Sequence, residues 1–239
     1  MLFRRARFFG AILVVSLGVP FSAFAEDLSC PVPPADPLIK LLSPPPCDSC
    51  AETKAELEEL QTLQRSRSDA EAKHALADYD ISLSRFLDGA EIKFDATALG
   101  KCIPFFDKLA ARTKEAAEHG KSAFCRTRPF NLPDSGLTPV QAIKNTPSYP
   151  SGHTTYGTLI AAVLGQMIPE KRGEFYARAA DYGHSRMVAG VHFRSDVEAG
   201  KVLGMEVAAD EFANDNDFKT AFPDAKACIR DALGLPTAP

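Results

Sequence analysis

The stretch TTYGTLIAAVLGQMIP, residues 154–169, contains no charged residue. It is shorter than the roughly 20 apolar residues of a membrane-spanning helix, and Gly157, Gly165 and Gln166 lower its hydropathy. A helix that is apolar on most of its faces is usually buried at the centre of a bundle. The stretch therefore predicts a central helix over residues 154–168, around which the other helices pack.

Helical periodicity extends over most of residues 51–239, and the alternating β-branched runs typical of strands are not found. Gly89 and Gly120 are predicted helix ends, and Pro104 is a predicted helix start. Pro223 would split the last helix. We therefore predict an all-α fold, a single helical bundle domain over residues 51–239. The segments are Leu57, Leu60 and Leu63 on one face, Leu76, Tyr79, Leu83 and Phe86 on another, and residues 104–120, 170–187, 192–213 and 218–233.

The N-terminus, MLFRRARFFGAILVVSLGVPFSAFA, has the organisation of a secretory signal peptide: a basic start, an apolar centre and a small-residue cleavage site. A membrane anchor is the alternative, but the apolar centre is too short to span a bilayer and Pro20 interrupts it. We therefore predict that residues 1–25 are removed on export, leaving no membrane segment. Residues 26–50 are rich in proline and predict an extended N-terminal segment on the surface.

The formal net charge of the chain is −4, and loss of the three arginines of the signal peptide makes it more negative. Because nucleic-acid-binding surfaces are usually basic, we do not expect a nucleic-acid partner. The balance does not exclude a small cationic pocket, since net charge says little about a single site.

The six cysteines of an exported chain favour disulfides, although six cysteines allow 15 pairings and the sequence does not choose among them. The CDSC motif, Cys47 to Cys50, could be a redox pair or half of a zinc site. A second CxxC or a spaced histidine pair to complete a metal site is not found, so we favour a structural disulfide.

Three short clusters contain the residues expected to perform chemistry. The clusters are KSAFCRTRP at 121–129, PSGH at 150–153 and SRMVAGVHFRSD at 185–196. Each alone has an ordinary structural explanation, such as a solvated helix face or an i, i+4 pair. Residues 129–150, rich in Pro, Asn, Ser and Asp, form a predicted long loop, and long loops inside compact domains are often functional.

In this order and spacing the clusters resemble the pattern KxxxxxxRP…PSGH…SRxxxxxHxxxD of the phosphatidic acid phosphatase type 2 superfamily, which also contains the vanadium haloperoxidases. Every fixed position is present. Within the superfamily the chain is most similar to bacterial class A non-specific acid phosphatases, whose GSYPSGHT block reads PSYPSGHT here, with Pro147 in place of Gly. The resemblance implies a helical phosphatase exported to the periplasm, and a homodimer, since class A enzymes are often homo-oligomers.

The resemblance also implies phosphate-binding roles that suit the residue types. Cations neutralise the charge on the transferring phosphoryl group, and the planar fork of arginine can donate two hydrogen bonds to it. Backbone N–H groups and a hydroxyl at a helix N-terminus add donors to an anion. The predicted phosphate-binding residues are Lys121, Arg128, Ser151, Gly152 and Arg186.

The predicted catalytic residues are His192, His153 and Asp196. His192 is the expected nucleophile, and Asp196 would hold its second ring proton and stabilise a cationic phosphohistidine. His153 would protonate the leaving alkoxide and then act as base for water. Because one histidine must be neutral while the other is protonated, we predict a bell-shaped pH–rate curve with an acidic optimum. Neither a metal nor an organic cofactor is expected.

The leading hypothesis is thus an exported, metal-independent acid phosphatase that hydrolyses small phosphate monoesters with broad range. A vanadate-dependent haloperoxidase is the first alternative, because the same cations can hold vanadate. A lipid phosphate phosphatase is the second, although the integral type would need membrane helices. A phosphate-binding protein without turnover is the third; binding alone would not require a nucleophile and a general acid.

Overall fold

The computed structural model describes residues 36–144 and 146–236. The predicted signal peptide and the first part of the predicted Pro-rich segment lie outside these residues. Between residues 36 and 50 the chain has one short 3₁₀ turn, Ile39–Leu41, and is otherwise irregular. The α-helices of the described ranges are α1 Ala51–Ser66, α2 Asp69–Ala77, α3 Leu83–Gly89, α4 Ala96–Phe124, α5 Gly152–Met167, α6 Arg172–Val188, α7 Arg194–Asn214 and α8 Asn216–Ala232.

The uncharged stretch forms α5, and the prediction of a central helix is confirmed. All of its residues from Thr154 to Met167 except Gln166 are buried, and α4, α6 and α7 pack around it. Since the described ranges contain helices and no strand, the all-α fold class is confirmed as well. No helix in these ranges combines the length and hydropathy needed to cross a membrane.

The close packing of α7 on α5 depends on two glycines of α7. A β-carbon at Gly200 would lie 2.7 Å from the Ser151 carbonyl oxygen, and one at Gly204 would lie 2.5 Å from the Thr155 carbonyl oxygen. Both distances are far inside van der Waals contact. Glycine therefore allows α7 to run directly against the first turns of α5, where the PSGH cluster lies.

Several predicted helix limits are wrong, because capping and packing outweigh proline and glycine signals. Pro104 and Pro223 lie inside α4 and α8 rather than at a start or a break. Asp95 caps α4 by accepting a hydrogen bond from the Ala98 N–H at 2.7 Å, and Asp215 caps α8 in the same way through the Phe218 N–H. Helix α4 therefore begins eight residues before Pro104, and α8 begins seven residues before Pro223.

The predicted face over residues 76–86 is divided by a turn into α2 and α3. Ser82 caps α3 by accepting from the Arg85 N–H at 3.2 Å. Asp78, in the turn, is fully buried and binds the Arg178 guanidinium at 2.6 Å. The turn therefore places the Asp78 carboxylate inside the protein, and Leu76 and Tyr79 are 46% and 44% exposed, unlike the buried Leu83 and Phe86.

Two disulfides join described residues. Cys47 pairs with Cys50, as predicted for the CDSC motif. Cys102 pairs with Cys228 and links α4 to α8. The second bond ties the C-terminal helix to the long helix that leads into the first chemical cluster.

Candidate functional site

A cavity of about 210 Å³ lies where the ends of four helices meet. It is reached by the last turn of α4, the first turn of α5, the last turn of α6 and the turn that precedes α7. The three clusters, separated in the sequence, are thus brought together. The predicted site residues that line the cavity are Lys121, Arg128, Gly152, His153, Arg186 and His192.

The long loop predicted from its composition forms part of the cavity wall. Val140, Gln141, Ile143, Lys144 and Thr146 line the cavity. Thr146 also fixes Arg128, whose Nε donates to the Thr146 carbonyl at 2.8 Å and whose Nη2 donates to its hydroxyl at 3.1 Å. The loop therefore helps to orient Arg128, one of the predicted phosphate-binding cations.

The surroundings of His192 define which ring nitrogen carries the proton. Its Nδ1 lies 3.3 Å from Oδ2 of Asp196, a carboxylate that accepts, and its Nε2 lies 3.1 Å from Nη1 of Arg128, a guanidinium that donates. The proton is accordingly assigned to Nδ1, and the lone pair of Nε2 accepts a hydrogen bond from Arg128. His192 is buried, and it precedes α7 by two residues instead of starting the helix as predicted.

Asp196 reaches His192 because of the way α7 begins. The Phe193 N–H donates to Asp196 Oδ2 at 2.9 Å, so the carboxylate caps the first turn of its own helix. Asp196 does not line the cavity and is completely buried. Burial raises the pKa of the Asp196 carboxyl, and the nearby Arg126 opposes that effect.

His153 stands on the first turn of α5, and one of its ring nitrogens is bonded to the main chain. Nε2 lies 3.1 Å from the carbonyl oxygen of Tyr79. A carbonyl can only accept, so Nε2 carries a proton and Nδ1 is the atom that can exchange one. Burial, followed by the charge of Arg186, lowers the pKa of His153 well below its ordinary value.

Burial and neighbouring cations lower the pKa of several titratable groups that line the cavity. The pKa of His192 is lowered well below its usual range by burial and then by Arg128 and Lys121. Burial and Arg128 lower the pKa of Lys121, and burial lowers that of Arg128 to about 10. Excess positive charge is thus concentrated in a partly desolvated space, which is the electrostatic condition for binding an anion.

Ser151 occupies a different environment from the other predicted phosphate ligands. Its side chain is fully buried and does not line the cavity. Its Oγ accepts from the Thr154 hydroxyl at 2.9 Å and caps α5. Its main-chain N–H donates to the Asp196 carbonyl at 3.0 Å. The structure therefore gives Ser151 a capping role, and a hydrogen bond from its hydroxyl to phosphate stays a prediction.

Within the described residues, one group of side chains has the spacing of metal ligands: His74, Asp78 and Asp181. Arg178 donates to Asp78 at 3.0 Å and to Asp181 at 2.5 Å through Nη1. A metal ion there would have to displace the guanidinium. The group is therefore an ion-pair network between α2 and α6.

Two functional candidates were missed from the sequence: Arg126 and Glu56. Arg126 lies two residues before Arg128 and binds Asp196 at 2.8 Å and Glu56 at 2.9 Å. The only available signal was that CRTRP has an arginine before Arg128, and nothing in a single sequence connects Arg126 with a glutamate 70 residues away.

Comparisons with known proteins agree with this geometry. The sequence model of the PAP2 superfamily matches residues 109–212, which include all the predicted site residues. A non-specific acid phosphatase of Salmonella typhimurium is 38% identical over 121 residues, covering 49% of this chain and 46% of that protein. The aligned region thus spans about half the length of the Salmonella relative. An acid phosphatase of Zymomonas mobilis is 30% identical over 200 residues, covering 77% of this chain and 72% of the relative.

Among solved structures, a bacterial vanadium-dependent iodoperoxidase superposes with a TM-score of 0.52 at 21% identity, over 71% of this chain and 51% of that one. This likeness concerns the fold alone. From the match over the catalytic segment and the identity with the Zymomonas protein across most of both chains, we conclude that the protein belongs to the PAP2 superfamily, with bacterial acid phosphatases as relatives.

Proposed function

We propose that the protein is an exported acid phosphatase that hydrolyses small phosphate monoesters, with broad range, through a phosphohistidine at His192. The observation that carries the proposal is the arrangement of His192, with Nδ1 against Asp196 and the Nε2 lone pair beside Arg128 in a cavity that His153 also lines. This is the combination of nucleophile, orienting acid and second histidine that two-step phosphoryl transfer requires.

Substrate binding would use the cations of the cavity. Lys121, Arg128 and Arg186 neutralise the phosphate, and the N–H groups at the start of α5, beginning with Gly152, add hydrogen bonds and the positive end of the helix dipole. Because protein side chains supply this charge, we expect activity to persist in EDTA. Loss of activity in EDTA that zinc or magnesium restores would contradict a metal-independent mechanism.

In the first chemical step, the lone pair of His192 Nε2 forms a bond to phosphorus while the ester P–O bond breaks. The leaving oxygen takes a proton from Nδ1 of His153, because Nε2 keeps its proton on the Tyr79 carbonyl. Asp196 stabilises the cationic phosphoimidazole through Nδ1–H of His192. In the second step, water attacks phosphorus, the N–P bond returns its electron pair to Nε2, and His153 Nδ1 accepts the water proton.

In the proposed mechanism, the bound substrate raises the pKa of the histidine that protonates its leaving group. In the cavity without an anion, burial and then positive charge lower the pKa of both histidines. A phosphate dianion offsets the charge of Arg186 and Lys121, so it raises the pKa of His153 toward the working pH. At pH values below the pKa of His192, this second histidine also becomes protonated and loses its lone pair. We therefore expect a bell-shaped kcat with an acidic optimum.

The organic part of the ester has a place beside the general acid. A second cavity, of about 360 Å³, shares Lys121, Gly152 and His153 with the first, and His192 does not line it. It thus adjoins the proton donor and not the nucleophile, as in-line displacement requires of a leaving group. Its remaining walls are mostly apolar, which suits aryl and nucleoside esters. The other lining residues are Ile81, Ala110, Ala111, Thr113, Lys114, Ala117, Glu118 and Tyr156.

A direct assay tests the proposal. Phosphate release from an aryl phosphate is measured at pH 5 to 6, in EDTA, with and without vanadate, and beside a short-chain phosphatidic acid in detergent. We expect release from the aryl ester that vanadate inhibits. Iodide oxidation with vanadate and peroxide in place of phosphate release would favour the haloperoxidase, and hydrolysis of the lipid alone would favour a lipid phosphatase.

A further inference from the structure

A buried ion network lies on the side of Asp196 that faces away from the cavity. We propose that Arg126, held by Glu56, is a positioning residue that acts on the nucleophile through Asp196, by fixing the charge and orientation of that carboxylate. The inference deepens the function proposed above, since it concerns how His192 is kept ready to attack.

Both terminal nitrogens of Arg126 are hydrogen-bonded, whereas its buried Nε has no hydrogen-bond partner among the described residues. Its Nη1 donates to Asp196 Oδ1 at 2.8 Å and to Ser195 Oγ at 2.6 Å, and its Nη2 donates to Glu56 Oε2 at 2.9 Å. The guanidinium lies 4.0 Å from the centre of the Phe193 ring. The side chains of Arg126 and Asp196 are 1% and 0% exposed. The two terminal nitrogens therefore hold the guanidinium between Asp196 and Glu56.

The two oxygens of Asp196 have separate tasks. Oδ1 accepts from Arg126, and Oδ2 accepts from the Phe193 N–H and faces His192 Nδ1. Arg126 therefore determines the rotation of the carboxylate. With Oδ1 engaged, only Oδ2 is left for the imidazole, and the Nδ1–H tautomer follows.

The charge of Arg126 is as important as its geometry. A fully buried carboxylate tends to take up a proton, and protonated Asp196 would no longer be a strong acceptor for Nδ1–H. The charged groups that act on Asp196 are Arg126 on one side and Arg128, Lys121 and His192 on the cavity side. Substrate phosphate offsets the cavity cations during turnover. Arg126 is shielded from the substrate, so its charge stays available to Asp196 when a phosphohistidine cation forms.

Glu56 holds the Arg126 side chain in position. It accepts from Arg126 through Oε2, and it also accepts from the Ser195 N–H at 2.6 Å and the Ser195 hydroxyl at 2.9 Å. Helix α1 thereby holds the first turn of α7, where Asp196 stands. The network connects α1 with the first turn of α7, with a separation of 139 residues between Glu56 and Ser195.

The test compares Arg126→Gln with Arg126→Lys and with a control, Arg230→Gln. Arg230 is a buried arginine of α8 that binds Glu170 at 2.8 Å and is remote from the cavity in the contacts described. We expect Arg126→Gln to lower kcat on an aryl phosphate by about 100-fold or more, since mis-orienting a catalytic histidine through its acid partner costs up to ~10⁴-fold. The inhibition constant for phosphate should change by less than about threefold, because the binding cations remain. Arg126→Lys should recover part of kcat, and Arg230→Gln should keep it.

A spectroscopic measurement is independent of turnover. In protein labelled with ¹⁵N-histidine, with His192 assigned through His192→Gln, the wild type should show the Nδ1–H tautomer and Arg126→Gln should lose it. If Arg126→Gln does not fold, the ¹³C shift of the Asp196 carboxylate in the wild type decides, and it should be that of an ionised group at pH 6. An unchanged kcat or tautomer in folded Arg126→Gln, or a protonated Asp196 in the wild type, would overturn the inference. A wild type without phosphatase activity would instead count against the proposed function.

Discussion

At the scale of single residues, the site separates two histidines of the same intrinsic chemistry by their partners. His192 has a carboxylate on Nδ1 and a guanidinium beside Nε2, an arrangement that leaves a lone pair for attack. His153 has a backbone carbonyl on Nε2, an arrangement that holds one proton and leaves Nδ1 to exchange another. We therefore propose that hydrogen bonding on the second nitrogen of each ring gives the two histidines their different roles.

This assignment predicts the effect of His153→Ala. Without a general acid, esters with poor leaving groups should lose about 10²-fold or more in kcat/KM, because their alkoxides need protonation, while aryl phosphates with acidic phenols should lose under about tenfold. The measurement is kcat/KM across a series of leaving groups, with vanadate inhibition as the control for binding. An equal loss across the series would argue against His153 as the proton donor.

At the scale of helices, the site depends on how closely α7 approaches the first turns of α5. Gly200 of α7 lies opposite the carbonyl group of Ser151. Ser151 directly precedes Gly152 and His153, which form the start of α5. One turn before Gly200, the first turn of α7 presents Asp196 to His192. The distance between these two helices therefore sets the distance from Gly152 and His153 on α5 to Asp196 on α7, all of which are proposed site residues.

Gly200→Ala should accordingly affect both stability and activity. The added methyl group must displace backbone atoms 2.7 Å away, and overpacking of this kind typically costs 1–3 kcal/mol, so we expect a loss of about that size in the free energy of unfolding in urea. The matched control is Gly100→Ala in α4, where no atom lies within 4 Å and helix propensity favours alanine by about 0.8–1 kcal/mol. If Gly200→Ala were as stable and active as the control, α7 would not be constrained at this position.

At the scale of the whole molecule, folding places cations and neutral histidines in one partly desolvated cavity. This placement makes the free energy of unfolding depend on pH. The pKa of both His153 and His192 is lower in the folded protein than the value of about 6.5 in an unfolded chain. Between the folded and unfolded pKa values the unfolded state binds more protons, so stability rises with pH.

We therefore expect the anion-free protein to become less stable as the pH falls below about 6.5, measured as Tm from pH 7 to pH 5. Vanadate or phosphate should reduce this slope, because a bound anion raises the pKa of the histidines and stabilises the folded state by mass action. The double variant with His153→Gln and His192→Gln should show a shallower slope. A slope unchanged in that variant would assign the pH dependence to other groups.

The sequence predicted features that depend on neighbouring residues or on a motif pattern. It missed features that depend on contacts between residues far apart in the chain. The uncharged run predicted α5 as the central helix, and the order and spacing of the motifs predicted a set of residues of which six line the cavity. Helix starts at Pro104 and His192 were wrong because Asp95 and Asp196 cap the true helices. Glu56 and Arg126 could not be predicted, since their importance comes from Asp196, which lies far away along the chain.

The most direct test of the account is to trap the covalent intermediate. Protein is mixed with a ³²P-labelled aryl phosphate, quenched in alkaline denaturant because phosphohistidine is labile in acid, digested and mapped. We predict label on His192, none in His192→Ala, and increased label in His153→Ala, where a good leaving group still departs but water is not activated. Label on Ser151, or full phosphatase activity in His192→Ala, would contradict the central claim.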